Sequence, residues 1–210
     1  MEYVFTRHNV GFRVIDELAR RCGVRLKEHG GETMLAQASL AGKQVILARP
    51  LTYMNRSGVA VSALMRRFSL EDDQLLVFYD DMDLPLGRLR LRPSGGSGGH
   101  RGMESLIALM ATHNFPRLRF GVGREELGEG ETVADYVLAP FNEAEEQIVQ
   151  KAVSLAADAT ELFLRQGIEA AMNRYNIKDK KQETRSKSES SEVSSQNGEF
   201  EENKSDKIDL

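Results

Sequence analysis

Three short polar clusters hold the residue types from which a hydrolytic site can be built: Thr6-Arg7-His8-Asn9, Thr52-Tyr53-Met54-Asn55-Arg56-Ser57, and Asp80-Asp81-Met82-Asp83 followed by the glycine-rich run Gly95 to Gly102 with His100 inside it. Histidine is the side chain best matched to proton abstraction near neutral pH, which marks His8 as a candidate general base. An aspartate at a strand end, such as Asp80, can bond the second ring nitrogen, fix the tautomer and stabilise the imidazolium formed on proton uptake. An Asn amide such as that of Asn55 orients a carbonyl or a water without adding charge. Ser97, inside the glycine-rich run, is not read as the nucleophile of a strand–turn–helix elbow, and Cys22 lies in a helical pattern where it reads as a packing residue, so water is the expected nucleophile.

Each cluster has a plainer reading when taken alone. Asn9 and Ser57 both suit helix N-caps. Three aspartates after a strand fit a metal site or a solvated turn. The glycine-rich loop can cradle phosphate through backbone N–H groups, yet it lacks the Gly-Lys-Ser/Thr ending of a P-loop and the dinucleotide spacing. Arg88, Arg90 and Arg92 read as a solvated strand face.

The elements that must hold these clusters follow from hydrophobic periodicity. Phe12, Ile15, Leu18, Ala19 and Cys22 place a helix over residues 10–22, stopped by Gly23. Extended runs at residues 33–40 and 43–48 meet through Ala41-Gly42 as a hairpin, ended by Pro50. A helix is predicted over 57–68 and a strand buried on both faces over 75–79. Residues 88–92 alternate Arg and Leu, which makes a strand with one basic and one apolar face. A helix around 103–110, a strand over 118–122 and a long amphipathic helix over 143–166 complete the pattern. Interleaved strands and helices predict a single α/β domain, a mixed twisted sheet flanked by helices, over residues 1–177.

Residues 178–210 are nearly all Lys, Glu, Ser, Asp, Gln and Asn and cannot bury enough apolar surface to offset their ordering entropy; a disordered low-complexity tail is expected. Of the formal net charge of −4, the tail contributes −2 (7 basic against 9 acidic residues), so any nucleic-acid surface must be a local patch. A single cysteine excludes a disulfide framework, and the absence of a long apolar run or a secretory leader makes a cytoplasmic protein the default.

With these residues in view, the sequence resembles the bacterial-type peptidyl-tRNA hydrolase family. The resemblance is carried by YVFTRHNVGFRVIDE (3–17), PLTYMNRSG (50–58), YDDMDLPLG (79–87), GGSGGHRGMESL (95–106) and FPRLRFGVG (115–123), in the family's order and spacing. It implies hydrolysis of the ester joining peptide to tRNA, with His8 as general base and Asp80 orienting it. It further implies substrate contacts from Tyr3, Tyr53, Asn55, His100 and Arg101, and tRNA phosphate contacts from Arg92 and Arg119. No metal or cofactor is implied; the partner is the acceptor stem and 3′ end of peptidyl-tRNA, and the expected state is a monomer.

Two departures from the family pattern carry expectations. The family opens with an apolar strand and a Gly-Leu-Gly-Asn-Pro-Gly-like turn whose Asn belongs to the site. Neither precedes Tyr3 here, so Met1 is expected to be a misassigned start or to follow a truncation, and the sheet to be short of an interior strand. Arg101 stands where the family often has Asn, which implies altered water positioning. The competing readings are an RNA-binding relative with impaired catalysis and, more remotely, a nucleotide-binding module built on the glycine-rich loop.

Overall fold

The computed structural model describes residues 6–124 and 132–176; Tyr3 and the expected tail, 178–210, lie outside them. Helix α1 (Val10–Arg21) buries Val10, Val14, Ile15, Leu18 and Ala19 along one stripe, as its periodicity requires. Strands β1 (Lys27–His29), β2 (Thr33–Leu40) and β3 (Lys43–Pro50) form an antiparallel meander. The β2–β3 link is the two-residue turn Ala41-Gly42 with φ of 52° and 81°. Positive φ at both central residues matches the twist of the flanking strands.

Helix α2 (Ser57–Arg67) packs on α3 (Arg101–Met110) at the closest approach that Gly58 permits. A Cβ on Gly58 would fall 2.2 Å from the Ser105 carbonyl oxygen, and its N–H donates to Ser105 Oγ at 3.0 Å. Strand β4 (Val77–Asp81) runs parallel to β6 (Arg117–Gly121), which pairs antiparallel with β5 (Leu89–Arg92). The β5–β6 register sets Leu89 opposite Phe120 and Leu91 opposite Leu118 on the core face, and Arg90 opposite Arg119 and Arg92 opposite Arg117 on the other. The alternation seen in 88–92 therefore belongs to a two-strand face of four arginines.

Two capped helices close the described chain. Thr132 and Asp135 form a capping box at α4 (Val133–Leu138), as do Asn142 and Glu145 at α5 (Glu143–Tyr175). Gly167, with φ of 85° and ψ of 177°, breaks α5, and the segment beyond it returns to the core through Ala171. Asn176 then mimics a strand partner for β5, its side chain accepting from Leu91 N–H at 2.7 Å and donating to the Leu91 carbonyl at 2.9 Å. The main core gathers α1, β5, β6 and α5 around Val14, Leu18, Leu91, Leu118, Phe120 and Val149.

The mixed α/β architecture matches the expectation, but its strands fall into two sheets, β1-β2-β3 and β4-β6-β5, in place of one. Among the described residues β3 pairs only with β2 and β4 only with β6. A cavity of roughly 760 Å³ separates them, lined by Val45 and Leu47 of β3, Val77 and Phe78 of β4, Ile15 of α1 and Phe163 of α5.

Candidate active site

His8 lies in a 3-10 turn, Arg7–Asn9, that leads into α1. Its neighbour Arg7 clamps that turn to the far end of the chain. The Arg7 guanidinium donates to both carboxylate oxygens of Glu145 at 2.8 Å and to the Pro140 carbonyl at 2.6 Å, and lies 4.5 Å over the Tyr136 ring. Its backbone N–H reaches the Ala139 carbonyl at 3.1 Å, beside a bridge from Thr6 to Pro140. Position 8 is thus held by the α4–α5 junction as well as by α1.

Asp80 is on β4, only 5 % exposed, and accepts from both histidines through the same oxygen: His8 Nδ1 lies 2.7 Å and His100 Nε2 3.0 Å from Oδ1. Burial alone would raise its pKa, but the N–H donors of His100 and His8 outweigh that effect and hold the carboxyl below the ordinary aspartate range. The imidazoles tilt together at a centroid distance of 4.9 Å, and Tyr79 meets His100 edge-on at 5.1 Å. His8, Asp80 and His100 also form the one group of metal-type donors among the described residues, their ligand atoms within 4.8 Å of one another. Both separations from Asp80 Oδ1 are ordinary hydrogen-bond distances.

The three aspartates do not converge, which corrects their reading as one metal site or one solvated turn. Asp81 is buried, pairs with the Arg119 guanidinium and accepts from Asp83 N–H at 2.9 Å, whereas Asp83 turns out to Arg124 at 2.8 Å. Of the two N-cap candidates, Asn9 occupies the cap position of its helix and Ser57 does not. Asn9 makes no side-chain cap bond, and Ser57 is the first residue of α2 with its Oγ bonded to the Met54 carbonyl at 2.9 Å. His100 is the residue that caps, accepting at Nδ1 from Met103 N–H at 3.2 Å.

These groups floor a cleft of roughly 2160 Å³. Tyr53, 82 % exposed, stands on its rim with Asn55 in the 3-10 turn Met54–Arg56, and Arg101 is exposed at the start of α3. Arg92 lines the cleft and is exposed, while Arg119 lines it with its charge turned to Asp81. The sequence reading missed Arg117, which is 1 % exposed and ties the glycine-rich loop to β6. It donates to the carbonyls of Gly95 (2.6 Å), Gly96 (3.2 Å), Phe115 (3.2 Å) and His113 (2.8 Å). Its place between Pro116 and Leu118 in a strand was the available signal, since an arginine pointing from a buried strand must find acceptors.

Comparisons with known proteins bear on the family and the fold. The family model for peptidyl-tRNA hydrolase matches residues 1–185. The peptidyl-tRNA hydrolase of Geobacillus kaustophilus is 48% identical over 175 residues, covering 83% of this chain and 93% of that protein. The Aquifex aeolicus enzyme is 45% identical over 178 residues, covering 85% and 92%. The crystal structure of peptidyl-tRNA hydrolase from Acinetobacter baumannii superposes with a TM-score of 0.78 at 32% identity, covering 84% of this chain and 89% of that one.

Proposed function

The chain belongs to the peptidyl-tRNA hydrolase family, and on that premise we propose that it cleaves the ester between peptide and tRNA with His8 as general base and Asp80 as its orienting partner. The observation that carries this reading is the 2.7 Å contact between His8 Nδ1 and Asp80 Oδ1 inside the cleft. With Nδ1–H donated to an ionised carboxylate, the lone pair of Nε2 is left to take a proton from water. The hydroxide so formed adds to the acyl carbon. The tetrahedral adduct collapses with loss of the ribose oxygen, which regains the proton from the imidazolium. The products are a peptide carboxylic acid, which loses its proton to solvent, and a tRNA with a free terminal hydroxyl.

Asn55, Tyr53 and Arg101 stand on the rim where they can position the ester and its flanking groups, and Tyr3 is assigned the same task from the family pattern. Arg92 and Arg119 are assigned to tRNA phosphates, because a guanidinium makes forked, charge-assisted bonds to phosphate. The chemistry as written uses no metal and no cofactor. Residues 1–177 act as the catalytic domain, with 178–210 a dispensable tail. No helix among the described residues is long and apolar enough to cross a membrane, and we assign the protein to the cytoplasm as a monomer. An intact His8–Asp80 pair favours an enzyme over an RNA-binding relative that has lost catalysis.

The test is product analysis with an N-acetyl-aminoacyl-tRNA. The purified chain should release the N-acetyl amino acid and leave tRNA that a synthetase can charge again. Recovery of the substrate unchanged, with tRNA still bound, would favour the non-catalytic relative.

A further inference from the structure

His100 touches more of the catalytic apparatus than a substrate contact needs. Its Nδ1 accepts from the backbone N–H of Met103 at 3.2 Å. A ring nitrogen that accepts from an amide carries no proton, so in the neutral ring the proton is on Nε2. Nε2 lies 3.0 Å from Asp80 Oδ1 and therefore donates to it. The same oxygen takes the Nδ1–H of His8. The His100 side chain is only 10% exposed, so most of its surface meets protein and little of it faces the cleft.

A second observation shows that space is kept for this ring. A Cβ on Gly102 would fall 2.9 Å from His100 Cε1 and 2.7 Å from Met54 Sδ. Gly102 thus lets the ring and the Met54–Arg56 turn carrying Asn55 close on each other. The ionisable groups flanking Asp80 on its strand are engaged with arginines: Tyr79, edge-on to His100, is hydrogen-bonded to Arg117, and Asp81 is turned to Arg119.

Resting on the reading of His8 as general base, we propose that His100 is a positioning residue: a neutral Nε2–H donor, its tautomer fixed by the cap of α3, that holds Asp80 ionised and aimed at His8. It acts through the carboxylate and so serves proton abstraction, in place of the substrate-contact role implied by the family pattern. Removing the donor concentrates charge on Oδ1. The carboxylate then stabilises the His8 imidazolium more strongly, and the acid limb of the pH–rate profile moves to higher pH.

The test begins with nitrogen-15 imidazole NMR of the whole wild-type chain, which needs no variant to fold. The expected pattern is Nε2–H with bare Nδ1 for His100 and Nδ1–H for His8. His100→Ala should lower kcat about tenfold to a hundredfold, leave KM within about threefold, and shift the acid limb upward. His100→Gln, whose amide can still donate toward Asp80, should recover most of the lost kcat. A proton on His100 Nδ1 would overturn the proposal, as would a rise in KM with kcat and the acid limb unchanged. If the His8 general-base reading is what fails, His8→Ala retains turnover while the His100 tautomer stays as described, so the two failures are distinguishable.

Discussion

Arg7 and Glu145, 138 residues apart, form a two-pronged buried ion pair immediately before the residue assigned as general base. Glu145 also closes the capping box of α5, accepting from Asn142 N–H at 2.7 Å. The same carboxylate therefore starts the last helix and fixes the entry to the first. Breaking a buried pair by removing one charge typically costs about 3–5 kcal/mol, because the partner is left uncompensated. Glu145→Gln should lower urea-unfolding stability by about that much, and Arg7→Met/Glu145→Met should recover part of it. Equal stability of Glu145→Gln and wild type would remove the clamp from this account.

Gly58 sets the distance between α2 and α3. Gly58→Ala drives a Cβ to 2.2 Å from the Ser105 carbonyl and pushes apart helices that carry the Asn55 turn and the His100 cap. Overpacking of this kind typically costs about 1–3 kcal/mol. The variant should lose stability and turnover together, measured by thermal unfolding and by hydrolysis rate.

Glu17 gives a pH dependence whose sign is fixed. Hydrogen bonds from Arg20 and Arg21 hold its pKa at about 2, against 4.5 for an unperturbed glutamate. A depressed pKa contributes stability that is complete above the unfolded value and is lost as pH falls through the folded one. Glu17→Gln should therefore lower Tm at pH 7 and match wild type near pH 2. A constant difference across that window would contradict the linkage. Asp80, also depressed, adds acid sensitivity of the same sign.

Arg119, proposed as a phosphate contact, is paired with Asp81, which any phosphate would have to displace. Asp81→Asn should tighten tRNA binding at low salt and steepen its salt dependence, while Arg92→Gln should flatten the slope of log K against log salt by about 0.9, the contribution of one phosphate. Filter binding at several salt concentrations reads both. An unchanged slope for Arg92→Gln would exclude it from the phosphate contacts.

The elements around the site were legible because period and punctuation agreed with burial. The stripe of α1, the Ala41-Gly42 hairpin and the Arg–Leu alternation of β5 all stand where their patterns put them. Two sites of error have local causes. Leu75 was counted into β4, yet the strand runs Val77–Asp81 and carries Asp80 within its pairing with Phe120. A helix was expected to end near Gln166, but α5 resumes after Gly167 because Ala171 and Met172 still have core to cover. The division into two sheets was not legible, since pairing across β3 and β4 depends on what separates them in space. The bonds of His100 to Asp80 and of Arg117 to the glycine-rich loop were not legible for a related reason: a side chain's partners come from distant elements, and composition says nothing of which carboxylate or carbonyl will face it.

The central claim is that His8 takes the proton from the attacking water. Its most direct test is single-turnover hydrolysis of an N-acetyl-aminoacyl-tRNA by His8→Ala, with tRNA affinity measured on the same preparation. The predicted result is a rate lower by about 10²–10⁴ with the Kd for tRNA within about threefold. A His8→Ala chain that turns over at the wild-type rate, equally folded and equally bound, would contradict the account.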